Sequence, residues 1–315
     1  MSFISSTKDA RIDAILTGMS LQLPLAQGLI QDEVCPAHTV YAESDKYFVF
    51  DRVSAKDYDI NVGLGAEINQ FKQELSKDSY SVEEYGIGTS IANRIIKNSH
   101  DQVDLEESGV ESIREIVDLG RERRVATLIQ TVANWTGTTA ITAAWNGSSA
   151  DIEGDMDAAT QKFHKQAGIM ANTVVISLAV FRAVINYLRS KPSAMSYGDY
   201  RKVEWGQSYS GVAEQLRGLF GIDRWIVGMQ IRDTAELGKA FVGEYVWTDT
   251  VTLLYIKKDA GRKDKTALKT FRYQDMVIRK RADEAKRSLI VEGTHLVDEK
   301  VVAKTLGLTL TAALG

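Results

Sequence analysis

The apolar positions of this chain follow two periods that take turns along its length. Between residues 104 and 135 the period is helical: Val110, Ile113 and Val117, then Val125, Leu128, Ile129 and Val132, recur at three- and four-residue spacing and share one helix face. The pattern predicts one long helix from near Asp104 or Glu106 to Trp135, about 28 residues and roughly 42 Å at the usual rise. Its apolar stripe breaks between Gly120 and Arg124, where Arg121, Glu122, Arg123 and Arg124 stand together. Two readings of these charges are open. They form a solvated face with pairing at i,i+3 and i,i+4, or they reach across to another molecule.

Upstream of the helix the period shortens to two. YFVFDRVSA (47–55) is aromatic and β-branched, and DSYSVEEYGIGTSIA (78–92) alternates through Tyr80, Val82, Tyr85 and Ile87. These predict two strands of a hairpin. About two dozen residues, Gly63 and Gly65 among them, separate the strands, too many for a tight turn, so the hairpin is long with an irregular tip. At about 3.3 Å per residue it reaches some 40 to 50 Å. A hairpin of that kind is marginal alone in water and exposes two unpaired edges. It needs a surface to lie on, from its own chain or from a neighbouring copy. Residues 1–36, with Leu21, Leu23 and Leu25, carry no long periodic segment and predict an extended arm.

Downstream, DIEGDMDAATQKFHKQAGIM predicts a helix with Met156, Ala159, Phe163 and Ala167 on one face and acidic residues at its start. NTVVISLAVFRAVINYLRSKP predicts a buried strand, Val174 to Ile176, running into a helix that Lys191-Pro192 ends. An amphipathic helix then leads through Gly221 to a strand from Trp225 to Ile231. From Val246 onward the chain is strand-rich to its end. The fold class is α+β.

Composition narrows the function. The chain has 315 residues, 44 % hydrophobic and 25 % charged, with three prolines and a formal net charge of −4. It is long enough for one lobed domain or two sub-domains. A single cysteine, Cys35, forms no internal disulfide, no apolar run has the length of a membrane span, and no basic excess marks a tight nucleic-acid binder.

Candidate chemistry is sparse. Gly63-Leu-Gly65 and Gly86-Ile-Gly88 begin like dinucleotide turns, but Ile68 and Ile91 stand where the third glycine belongs. His38, His100, His164 and His295 are dispersed without metal-ligand spacing. The pairs Glu83-Glu84 and Glu106-Glu107 point to different faces of their elements and do not converge for acid/base work. Trp135, Trp145, Trp205, Trp225 and Trp247 are core packing or interface anchors. No catalytic residue, metal or cofactor is expected. A long helix, an arm and a projecting hairpin without a site make sense in contact with copies of the same chain.

From about residue 38 to 310 the order of elements resembles the major capsid proteins of tailed bacteriophages, the Hong Kong 97 fold. VYAESDKYFVFDR, GLGAEINQF and SYSVEEYGIGTSIANRI are similar to that family's extended loop, IREIVDLGRERRVATLIQTVANW to its spine helix, and NTVVISLAVFRAVINYLR with YVWTDTVTLLYIKK to its axial domain. The resemblance implies an N-terminal arm at 1–40, an extended loop at 41–92, and a peripheral domain at 93–171 with the spine helix at about 106–135. An axial domain at 172–256 and C-terminal strands at 257–315 returning to the peripheral domain complete it. At the tip, where relatives often carry an arginine just before Gly-Ala-Glu, this chain reads Val62-Gly-Leu-Gly65-Ala-Glu67.

By this resemblance the chain is a structural protein, not an enzyme. Many copies form pentamers and hexamers that tile an icosahedral shell around packaged double-stranded DNA, which they contact weakly and without sequence specificity. Scaffolding comes from a separate protein, since about 40 residues precede the hairpin, and a portal and a decoration protein are further partners. The virion is its location after synthesis in the bacterial cytoplasm, with no membrane involved. Tyr47, Phe48, Phe50, Glu67, Tyr80 and Val82 on the hairpin, with Arg121, Glu122, Arg123 and Arg124, are the expected contacts between subunits. The alternatives are an encapsulin-like nanocompartment shell, a nucleotide-dependent enzyme using residues 172–256, and a monomeric binding module.

Overall fold

Among the described residues, two five-stranded sheets hold most of the strands, and the long helix lies across one of them. The computed structural model describes residues 11–12, 28–50, 57, 59–63, 67–70, 75–98, 102–190, 209–236, 238–261 and 264–314. Leu21, Leu23 and Leu25 of the expected arm, Gly65 at the tip, His100 and Trp205 lie outside the described residues.

In chain order, β1 (Arg11–Ile12) precedes the short helix α1 (Gln31–Val34) and β2 (Ala37–Thr39). The hairpin strands β3 (Ser44–Phe50) and β4 (Leu75–Ser81) pair antiparallel from Ser44 opposite Ser81 to Phe50 opposite Leu75. The expected single return strand, 78–92, is two strands. It breaks at Val82, whose amide donates to the Glu43 carbonyl at 2.8 Å, and continues as β5 (Glu83–Ala92) in a different sheet. Alternation alone could not place the break, because side-chain period is the same on both sides of a change of partner.

Next come α2 (Asn93–Asn98) and the long helix α3 (Gln102–Gln130), 29 residues, about 43 Å long. It ends before the predicted Trp135, at Thr131, whose backbone is extended. The carbonyls left open by that stop accept side-chain donors: Asn134 Nδ2 bonds Leu128 O and Trp135 Nε1 bonds Ile129 O, both at 2.8 Å.

After it follow β6 (Gly137–Ala140), α4 (Ile152–Ala167), β7 (Thr173–Ser177), α5 (Leu178–Ser190) and α6 (Tyr209–Phe220). The α4 boundaries are set locally. Asp151 accepts from the Gly154 amide at 3.2 Å, and Gly168 takes the left-handed conformation at φ 62° that ends the helix. The predicted strand Trp225–Ile231 splits into β8 (Arg224–Gly228) and β9 (Ile231–Asp233), the latter paired with β10 (Gly243–Tyr245). Gly228 is where the chain turns, beneath the Trp247 indole, and a Cβ there would stand 2.2 Å from Trp247 Cδ1. The chain closes with β11 (Val251–Leu254), β12 (Leu268–Asp283), β13 (Ser288–Val301) and β14 (Gly307–Thr311).

The first sheet runs β1-β12-β13-β5, with β2 parallel to another part of β12. α3 packs on it through Val110, Ile113 and Val117 against Met276, Ile278 and Val291. The second runs β6-β14-β11-β7-β8 and holds the larger core, into which α4, α5 and the end of α3 bury Met156, Phe163, Phe181, Val184, Val125 and Ile129.

β12 and β13 pair under α3, whereas β14 goes between β11 and β6 in the second sheet. β6 and α4 pack with the second sheet too. Leu308 and Leu310 are fully buried there, and that burial decides the partner.

Candidate inter-subunit surface

The charged break in α3 turns inward. Arg121 Nη1 donates to Asp32 Oδ1 at 2.7 Å and Nη2 to Thr270 Oγ1 at 3.2 Å. Arg124 grips Glu299 with two bonds of 2.9 Å, and its guanidinium lies 3.7 Å from the centre of the Tyr85 ring. Glu122 is fully buried. Its carboxylate accepts from the amides of Ile30 (3.1 Å) and Gln31 (2.8 Å), at the start of α1, and from Trp247 Nε1 (2.7 Å). Burial pushes the Glu122 carboxyl up from its ordinary range, opposed by those donors, which favour the charged form. So the apolar stripe of α3 is interrupted because buried ion pairs and a buried carboxylate take over its packing, binding residues 30–35, β13 and Trp247 to one turn of helix. Neither a solvated face nor charges free to cross describes these three residues. Of the four, Arg123 alone is exposed.

His295 sits in the same cluster, edge-on to Tyr85 with ring centres 6.0 Å apart. Burial, then the nearby Arg124 and Arg121 charges, push it down to about 4. No spacing in the sequence pointed to it, since its neighbours come from α3 and β5.

The hairpin residues divide by strand face. On one face Tyr80 stacks on Phe271 of β12 at 4.5 Å and 10°, and Tyr47 meets the same ring at 5.3 Å. Their hydroxyls donate to the Ala42 carbonyl (3.2 Å) and to Asp78 Oδ2 (2.8 Å). Val82 is half-buried beside them. These three residues anchor the hairpin root to its own chain and find their apolar partners there. On the other face Phe48 is 37 % exposed under Lys77 Nζ, 5.3 Å from the ring centre. Phe50 ends β3. Glu67, at the tip, is exposed.

Candidate chemistry stays sparse in three dimensions. Among the described residues no group of histidine, cysteine, aspartate and glutamate could hold a metal, and no helix is long and apolar enough to cross a membrane. Cys35 is buried, its thiol pushed up to about 12 by desolvation. Trp135, Trp145, Trp225 and Trp247 are buried in the core.

A long helix over one sheet, a projecting hairpin and a second lobe with helices on its own sheet make up the Hong Kong 97-type fold of virus shell proteins. A phage-related protein from Bordetella bronchiseptica superposes over 96 % of this chain and 97 % of its own with a TM-score of 0.71 at 16 % identity. The capsid of Myoviridae phage XM1 does so over 92 % of each chain at a TM-score of 0.56 and 14 % identity. In sequence, the chain is 21 % identical over 260 residues to the major capsid protein of Burkholderia phage BcepMu, covering 81 % of this chain and 80 % of that protein. No protein-family profile matches the chain.

Proposed function

We propose that this chain is a major capsid protein, whose copies assemble into the closed shell of a tailed-phage head. One observation carries the reading: a phage major capsid protein aligns with four-fifths of this chain and of itself, and the fold of a phage capsid agrees over 92 % of each chain. The role is structural. Heterologous contacts between copies close into pentamers and hexamers, and many modest contacts sum to a stable shell because later ones form at high effective concentration. The shell encloses double-stranded DNA, touched weakly, and a formal net charge of −4 suits a wall that does not hold the packaged duplex. A separate scaffolding protein, a portal and a decoration protein complete the partner set, and the subunit is made in the host cytoplasm.

Within that reading, residues 30–35, the α3 cluster and the hairpin root belong to the subunit itself. Phe48, Glu67 and Arg123 are left to meet neighbours. Expression of the chain with and without a phage scaffolding protein, followed by negative-stain imaging and sedimentation, tests assembly. A monodisperse monomer under all conditions would refute it. DNA inside purified particles supports a phage head, whereas enclosed enzyme points to a nanocompartment.

A further inference from the structure

At the root of the hairpin a groove of about 610 Å3 lies between β3, the end of α4, β12 and the segment before β14. That is the size of a small-molecule site. Its floor is aromatic: the Tyr47 and Tyr80 rings pack on Phe271, and Tyr41, 97 % exposed, lines the groove as well.

The charged groups that line it are unequal. Asp45, Lys46 and Lys265 are exposed, and Asp264 is paired with Lys257 at 2.7 Å. Lys269 is only 3 % exposed. It stands two residues before Phe271 on β12, so the two side chains leave the same face of the strand. Its amine donates to the Gly261 carbonyl at 2.5 Å, and among the described residues no carboxylate comes within ion-pair distance of it. Burial pushes the amine below its ordinary range, opposed by Asp264 at longer range. A cation held in an aromatic lining by one neutral acceptor is costly, and methionine would fill the same space without that cost. An ammonium has three N–H donors, and a single carbonyl leaves two of them for an anion.

We infer that the groove is a binding site for a small aromatic anion, whose flat ring lies on the Tyr47 and Phe271 rings beside Tyr41 and whose carboxylate or phosphate meets the Lys269 amine. An aromatic body gains ring-on-ring contacts there that an aliphatic chain does not. Every lining residue comes from one copy, so the site goes beyond the shell reading and does not depend on it. The walls belong to the hairpin, to the first sheet through β12 and to the second lobe through the end of α4. An occupant therefore ties the hairpin root to both.

Naphthalene-2-carboxylate is the probe, and naphthalene-2-carboxamide, nearly the same shape without the charge, is its control. Followed by naphthalene fluorescence with the full chain at neutral pH, the acid should bind with a dissociation constant of about 1 mM or tighter. The amide should bind about tenfold more weakly, since it loses the bond to a buried charge. K269M should remove that preference and bind the two alike, while Tyr41→Ala should weaken both several-fold. K239M, which removes an exposed lysine outside the groove, should leave both unchanged. Near-UV circular dichroism checks the fold of each variant, and the comparison of acid with amide on the parent chain decides even if K269M does not fold. No binding of the acid, equal binding of acid and amide to the parent, an undiminished preference in K269M or the same loss in K239M overturns the inference. Failure of the parent chain to assemble overturns the shell reading and leaves this comparison intact, so the two failures are distinguishable.

Discussion

Glu122 accepts a 2.7 Å hydrogen bond from the indole of Trp247, a partner 125 residues away in sequence, while holding the amides of Ile30 and Gln31. One buried carboxylate therefore joins the start of α1, the middle of α3 and the segment leading into β11. Replacing Glu122 with alanine strands all of those donors in the interior. The expected loss is about 3 kcal/mol of subunit stability, with glutamine losing less because its carbonyl still accepts. Urea unfolding of the unassembled subunit measures it. An alanine variant as stable as the parent removes the carboxylate from this role.

Arg124 and Arg123 are neighbours in sequence with opposite surroundings. Arg124 is paired twice with the buried Glu299, so Arg124→Met leaves that carboxylate with the longer contact to Arg121 Nε at 3.7 Å and should cost about 2 to 3 kcal/mol. Arg123→Ala, at an exposed position, should change subunit stability by less than about 0.5 kcal/mol. If Arg123 pairs with a neighbour, its loss appears in assembly yield and salt dependence. Melting curves and particle yield, taken together for both variants, separate the two residues.

His295 makes stability depend on pH with a defined sign. Its folded value is depressed to about 4 from 6.5, so the unfolded chain takes up a proton first as pH falls. Its contribution is fully present above about 6.5 and is lost as pH falls through about 4. For this one group that amounts to roughly 3 kcal/mol at most. Arg121, Arg124, Glu299, Asp275 and Tyr85 are the charged and titratable groups around it. His295→Phe should flatten the slope of unfolding free energy between pH 6.5 and 4.5. An unchanged slope would show that other groups set it.

Gly293 lies where α3 presses on the first sheet. A Cβ there would come within 2.6 Å of Ile113 Cγ2 and 2.8 Å of Met276 Cε. Gly293→Val should therefore cost about 1 to 3 kcal/mol through overpacking, and Ile113→Ala in the same chain should recover part of it. Thermal melting of the single and double variants reads the coupling.

Phe271 holds the hairpin root between Tyr47 and Tyr80. Phe271→Ala should release β3 and β4 from the first sheet while the larger core of the second stays folded. Limited proteolysis should then cut within residues 44–81 several-fold faster, with a much smaller change in the global transition. Equal cutting rates would place the anchor elsewhere.

The sequence by itself determined most elements and the fold class. Helical spacing from Val110 to Ile129 marked α3, Met156 to Ala167 marked α4, and the run Val174–Ile176 before a long amphipathic stretch marked β7 and α5, because periodicity is a local property of a chain that buries one face. The order of these elements along the chain already resembles the shell fold. Partners were decided by the tertiary structure. Whether β4 and β5 are one strand or two, which sheet β14 enters, and whether Arg121, Glu122 and Arg124 face water, a neighbour or Asp32, Trp247 and Glu299 all depend on groups distant in sequence, Val297 opposite Glu83 being 214 residues away, that meet only when the sheets close. A charged run reads the same on a solvated face and in a buried network. Only the burial of its partners tells them apart.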